Sequence, residues 1–455
     1  MLHDSLGLPV SLDDPSSLPL YEDFVGGFIT CEARVANVLQ LADRDGSALV
    51  QAACAALHMF AESPDAPVQA APFIGRALAR AGQASAREQR FVAAIAAWVR
   101  GDLDQAIRLH AEQAAECPRD LASIKLAQYH LFNRGDCAGM LRIVLPALAA
   151  APEVPQVHGM AAFAWEQCHL LPQAEASARR ALALQPREPW AQHALAHVML
   201  TQGRLAEGLD FMRRASSGWV GLNSFMETHN WWHLALFALE LGDAAEALRL
   251  HDRQVWGVVK AYSQDQIGSV SLLARLELAG VDVGERWQDL ADHLAPRVHD
   301  HVLPFLDLQY LYGLARAGRP EAHAMLASIE AHCQGERPAG PGDTARPAVD
   351  PVWPTIAWPA ALGLMAHAQC RWDDAVEHLG LALPRLLAVG GSHAQRDLFS
   401  QIHIDALMRA GHWGAVQQIL QEQLNRQPQS RRLGHQVLTA CHHLGLDAAF
   451  APAPC

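Results

Sequence analysis

Two histidine pairs in this chain have the spacing at which side chains act together. His193 with His197, and His229 with His233, are each four residues apart, so on a helix each pair shares a face with Cβ atoms about 5–6 Å apart. Neutral imidazoles so placed chelate a divalent transition metal, with Zn–N near 2.0–2.1 Å. Without an ion they trade protons with a substrate near neutral pH. A third reading is structural: imidazoles beside Trp190, Trp231 and Trp232 fill a mixed polar and aromatic interior, each ring bonded to a carbonyl or carboxylate. Neither pair encloses a Glu next to its first His, so neither is the HExxH motif of metalloproteases.

Two other groups carry polar chemistry. Asp300, His301 and Asp307 would supply a second shell or an acid–base pair if the later helices fold back over the groove. On one helix, however, His301 and Asp307, six residues apart, point in different directions and need not share a site. In the run Gly390–Asp397 the two glycines end a helix, Ser392 caps the next, and Arg396 and Asp397 fall near its first turn. Arg396 there would grip an anion or form a buried pair with Asp397 that locks two hairpins. We expect the second. No GxSxG, P-loop, dinucleotide-binding or paired-cysteine pattern is present.

The elements that must position these residues repeat. Pro118, Pro152 and Pro186 are 34 residues apart, and Gly101, Gly135 and Gly203 mark an earlier turn of the same unit. That period belongs to tetratricopeptide-like helical hairpins. Ala106, Ala174, Gly208 and Ala247 hold the small position of the second helix, and the longer step from Gly208 to Ala247 places an insertion near Ser216–Ser224. Counting back from Gly208 and Ala247 puts the histidine pairs on the first helices of consecutive hairpins, which line the concave groove of such a stack. The expected fold is all-α, a superhelical solenoid without a sheet: a helical cap over 1–100, repeats over 101–260, irregular hairpins over 261–333, a Pro/Gly-rich loop over 334–354, and hairpins again over 355–455. In the last part Ala375, Leu379 and Ala382, then Ala415 and Ile419, are read as the packed positions.

Composition narrows the function further. The 48 acidic against 35 basic side chains give a net charge of −13, which disfavours nucleic acid and anionic membranes as partners. Neither a signal sequence nor an apolar run of about 18 residues is visible, and nine scattered cysteines fit reduced thiols, so a cytoplasmic location is expected.

Several strings, in order over nearly the whole chain, resemble the tetratricopeptide repeat protein 38 family: Arg87–Gln89, Glu207–Met212, the run HNWWHLALFALELGD from His229, GVDVGERWQDL from Gly280, DHVLPFLD from Asp300, and GGSHAQRD from Gly390. The resemblance implies the solenoid fold and carries no settled activity. Positions that match the family pattern are His193, His197, His229, Asn230, Trp232, His233, Asp300, His301, Asp307, Gln395, Arg396 and Asp397. The chain departs from it at Gln128 and Tyr129, where the family pattern has a His-Asp pair, and at Gly268, where it has Asp.

The expected function is binding of a small molecule or peptide in a groove lined by Trp190, His193, His197, His229, Trp232 and His233. The alternative is an enzyme in which His197, His229, His233 or Asp307 performs acid–base or metal-assisted chemistry on a small molecule. A divalent transition metal is the cofactor that His193, His197, His229 and His233 would hold. The oligomeric state is left open.

Overall fold

A computed structural model describes residues 2–335 and 349–446. Three-quarters of the described residues are helical. The only paired strands among the described residues are Leu2–His3 and Pro9–Val10, an antiparallel ribbon. The expectation of no sheet is corrected to that extent. Two residues per strand are too few to leave an alternating pattern, and the turn is held instead by Asp4, whose carboxylate accepts the backbone N–H of Leu6 and Leu8 at 3.0 and 2.8 Å.

Repeat chemistry explains the hairpins. Helices Leu103–Glu116, Cys137–Ala150 and Leu171–Leu184 each stop two residues before Pro118, Pro152 and Pro186, since proline lacks the N–H and clashes with the preceding turn. Gly101, Gly135, Gly203 and Gly242 have φ between +69° and +84°, a region that costs an L side chain about 1–2 kcal/mol. After three of them comes an Asp that caps the second helix: Asp102, Asp136 and Asp243 accept the N–H of Gln105, Gly139 and Glu246, each cap contributing about 1 kcal/mol. His169 and Cys370 take the same left-handed slot, at φ +57° and +58°, without being glycine.

Five residues after each turn comes a buried position: Ala106, Met140, Ala174, Gly208, Ala247, Ala375 and Val416. At Gly208 a β-carbon would sit 2.3 Å from the Phe237 ring, so nothing larger fits. The same count corrects the register expected near the end of the chain. From Gly411 it falls on Val416, and Val416 and Leu420 are buried where Ala415 is exposed and Ile419 half-buried.

The described residues divide into two compact units: the chain up to Val198 together with Ala215–Glu227, and Met199–Arg214 together with the chain from Thr228 on. In the first unit the insertion expected near Ser216–Ser224 is a loop anchored by Trp219, wholly buried, with its indole N–H donating to Gln192 at 2.9 Å. In the second unit the last helices, Trp413–Arg426 and Arg431–His443, return onto its beginning. Gln427 donates to the Leu200 carbonyl at 2.9 Å, Arg432 Nε to Glu240 at 2.8 Å, and a β-carbon on Gly203 would lie 2.8 Å from the Arg426 carbonyl. Most of the expected loop, 336–348, lies outside the described residues. At its end Trp353 and Pro354 open a helical turn, Trp353–Ala357, that leads into helix Trp358–Ala368. Among the described residues no helix is long and apolar enough to cross a membrane.

Candidate functional site

In the first unit, helix Pro189–Thr201 starts beside Glu188, which is wholly buried and accepts the Ala191 N–H. Burial raises the Glu188 carboxyl to about 7, against the pull of that bond and of Lys125. Gly159 leaves the room: a β-carbon there would stand 2.6 Å from Glu188 Oε2. One turn on, His193 and His197 are 1 % and 0 % exposed, and their Nε2 atoms are 3.1 Å apart. Glu166, also wholly buried, places Oε2 3.4 Å from His197 Nδ1 and accepts Gln167 Nε2 at 2.7 Å.

A carboxylate on Nδ1 draws the imidazole proton there and leaves the Nε2 lone pair of His197 facing His193. Two nitrogens on a tetrahedral Zn with bonds of 2.0–2.1 Å stand about 3.4 Å apart, so the pair needs to open by only a few tenths of an ångström to share an ion. Phe163 packs 5.2 and 5.7 Å from the two imidazole centroids, and Trp190 lies 5.0 Å from His193. Lys125 Nζ sits 4.6 Å from the Trp190 ring. Stepping 34 residues back from His193 and His197 gives Gly159 and Phe163, and a further 34 gives Lys125 and Tyr129. The repeat period alone therefore identifies part of this wall, whereas Glu166 occupies no corresponding slot and leaves no signal in the sequence.

In the second unit, the part of helix Ser224–Glu240 from Thr228 on brings His229, Trp232 and His233 together. The His229 ring stacks on Trp232 at 5.2 Å and 11°, and His233 lies 4.8 Å from each of them, centroid to centroid. Arg275 is buried with its guanidinium 5.4 Å from the Trp232 ring and donates to the Ala394 carbonyl at 2.7 Å. Burial pulls its pKa down to about 10. The Trp232 indole N–H and both amide atoms of Asn230 are buried with no hydrogen-bond partner among the described residues.

His301 and Asp307 meet, contrary to the expectation from their spacing. His301 precedes helix Pro304–Arg316 rather than riding on it, with φ +45°, and this left-handed turn folds its ring back onto the first helical turn. Its Nδ1 stands 2.6 Å from Asp307 Oδ2, while Asp300 pairs with Arg297 at 3.0 Å. Burial raises the Asp307 carboxyl to about 6, with its bond to His301 opposing.

In the Gly390–Asp397 run the contacts seen for Arg396 and Asp397 are structural, but not through the expected pair. Gly390 and Gly391 have φ +88° and +75°, and Ser392 and Gln395 form a reciprocal cap. Arg396 donates to the Gly390 and Gly391 carbonyls, and Asp397 is exposed and accepts Gln401 Nε2 at 2.6 Å. The Arg396 side chain is long enough to reach back over its own cap, which frees the Asp397 carboxylate for solvent. Arg87 and Glu88 are structural in a similar way: Arg87 pairs with Asp120 at 3.1 Å, and Glu88 accepts both the N–H and hydroxyl of Ser11, at 2.7 and 2.9 Å.

No family model matches the sequence. Among solved structures the chain is similar to the human IFIT1 dimer with PPP-AAAA and to the same dimer with m7Gppp-AAAA, each at 13 % identity over 98 % of this chain and 95 % of that one, with TM-score 0.43. It is more distantly similar to Naa15/Naa10 bound to HypK-THB, at 12 % identity over 97 % of this chain and 69 % of that one, with TM-score 0.26. These likenesses assign no activity. The expected exclusion of nucleic acid is withdrawn: it rests on charge, and two of these structures hold PPP-AAAA and m7Gppp-AAAA. A net charge sums the whole surface, whereas a short ligand meets only the few groups around it.

Proposed function

We propose that this chain is a tetratricopeptide-like solenoid that binds a small ligand at His193 and His197, with a divalent transition metal as the group the two imidazoles hold. The observation that carries the reading is the 3.1 Å approach of two buried Nε2 atoms, one of them on a ring whose other nitrogen faces Glu166. A carboxylate behind a ligating imidazole fixes its tautomer and raises its basicity. Burial favours an ion or small molecule over a peptide, because a chain laid along an open trough needs side chains it can reach. Trp190 and Phe163 supply the apolar wall usual in small-ligand sites. His229 and His233, beside Trp232 and Arg275, are the second unit's pair of the same type. Membership of the tetratricopeptide repeat protein 38 family and action in the cytoplasm belong to this proposal, supported by the ordered strings from Arg87 to Asp397.

The test is calorimetric titration of the full chain, stripped with chelator, with Zn²⁺. Binding is expected at pH 7.5 and weakened at pH 5.5, where protons compete for the imidazoles. Glu166→Gln is expected to lower affinity about 10–100-fold, and His193→Ala more. Zn²⁺ uptake indifferent to both substitutions would overturn the reading.

A further inference from the structure

Helix Glu321–Cys333 packs beside helix Pro304–Arg316 and carries Ser328. The Ser328 hydroxyl lies 2.7 Å from His301 Nε2, while His301 Nδ1 lies 2.6 Å from Asp307 Oδ2. Asp307 is 1 % exposed, the His301 side chain 12 %, and Ser328 half-buried. With the Nδ1 proton held by the carboxylate, Nε2 has a lone pair and accepts the Ser328 O–H. His299, which is exposed, sets its Nδ1 2.8 Å from the same hydroxyl oxygen. Because the serine proton is committed to His301, His299 is the donor in that contact. Behind His301 stand His332 and Trp353, with centroids 4.8 and 5.8 Å from its ring.

From this geometry we infer that Ser328, His301 and Asp307 form a nucleophile–base–carboxylate triad that hydrolyses small acyl esters. The three roles follow from the three contacts: a hydroxyl within reach of a base, a base oriented by a third group, and a carboxylate shielded from water. Backbone placement supports it as well. A residue bearing a β-carbon at φ +45° costs on the order of 1–3 kcal/mol, and strain of that kind gathers where a side chain must be aimed. Ser328 Oγ attacks the acyl carbon as its proton passes to His301 Nε2. The ester C–O bond breaks and the leaving alcohol takes that proton. Water then attacks the acyl-serine, gives a proton to His301 Nε2, and Ser328 departs with it. One ester and one water yield one acid and one alcohol. Asp307 acts through His301, holding its tautomer and stabilising the imidazolium, and is a positioning residue.

The inference does not rest on the metal reading, since the triad shares no residue with His193, His197 or Glu166. Its test is incubation of the full chain with a fluorophosphonate probe, mapping of the modified peptide, and turnover of p-nitrophenyl acetate. An adduct on Ser328 is expected, formed about 100-fold or more slowly in His301→Gln. In Asp307→Asn kcat for p-nitrophenyl acetate should fall with KM little changed, because the imidazole loses the carboxylate that holds its tautomer. The other groups facing His301, namely His299, His332, Ser328 and the Arg297-paired Asp300, are unchanged in that variant. An unaltered chain that gives no adduct on Ser328, or one whose adduct forms as fast in His301→Gln, overturns the inference. The first of these outcomes is read on the unaltered chain and does not depend on any variant's folding.

Discussion

His197 in the first unit and His301 in the second are built alike on one side and differently on the other. Each has a buried carboxylate at Nδ1, Glu166 at 3.4 Å and Asp307 at 2.6 Å. At Nε2, His197 meets the Nε2 of His193, whereas His301 meets the hydroxyl of Ser328. On the proposals above, the first arrangement would turn nitrogen lone pairs to a cation and the second would pass a proton. What the far nitrogen meets decides the chemistry, because the near carboxylate does the same work in both places.

A third histidine sharpens the comparison. His251 has Asp252 at 3.0 Å from Nδ1 and Ser269 at 2.8 Å from Nε2, the same three residue types as the His301 triad. Ser269 is wholly buried, however, and Asp252 is an exposed residue gripped by both ends of the Arg286 guanidinium at 2.7 and 2.6 Å. A substrate that reaches Ser328 cannot reach Ser269. The largest expected contrast is therefore in reactivity: Ser328→Ala should abolish fluorophosphonate labelling and Ser269→Ala should leave it within about twofold, a gap of at least ~100-fold on the scale of general-base catalysis. Labelling that falls equally in both variants would erase the distinction.

Stability should show the opposite order. Ser269→Ala strands a buried imidazole nitrogen and is expected to cost about 1–3 kcal/mol, while Ser328→Ala, at a half-buried site that water can enter, should cost less than about 1 kcal/mol. Denaturant unfolding of the two variants checks this. The smallest effect lies in the slope of stability against pH. Asp307, raised to about 6 by burial, keeps in the native chain a proton that the unfolded chain loses near 4, so its contribution falls as pH rises through about 4–6. Asp252, lowered to about 2 by its bond to Arg286, contributes stability that is present above about 4 and lost as pH falls toward 2. Asp307→Asn should flatten the pH dependence of the unfolding midpoint between about 4 and 6, and Asp252→Asn only below about 4. Flattening below about 4 in Asp307→Asn, or between about 4 and 6 in Asp252→Asn, would contradict these two environments.

How much of this the chain discloses in advance depends on the range of the interaction. The hairpins are legible because their signals are local: the left-handed Gly101, Gly135 and Gly203, the helix-ending Pro118, Pro152 and Pro186, and the small Ala174 and Gly208 all act within one repeat. So are the two histidine pairs, which need only an i, i+4 spacing. His169 and Cys370 hide two turns because they accept a conformation that glycine adopts at no steric cost. Val416 lies one residue beyond the expected slot because Ala415 has the better composition for it. The triad is not legible, since His301 and Asp307 meet only through a left-handed backbone at His301, and Ser328 arrives from the next helix, 27 residues on. Glu166 comes to His197 from the preceding hairpin, 31 residues back.

That His193 and His197 hold a divalent transition metal is tested most directly by X-ray absorption at the zinc edge on the full chain loaded with one equivalent of Zn²⁺. Nitrogen neighbours are expected at about 2.0–2.1 Å with the outer-shell scattering of imidazole, and that scattering should be lost in His193→Ala and in His197→Ala. A zinc environment that is all oxygen, or one that both substitutions leave unchanged, would contradict the assignment.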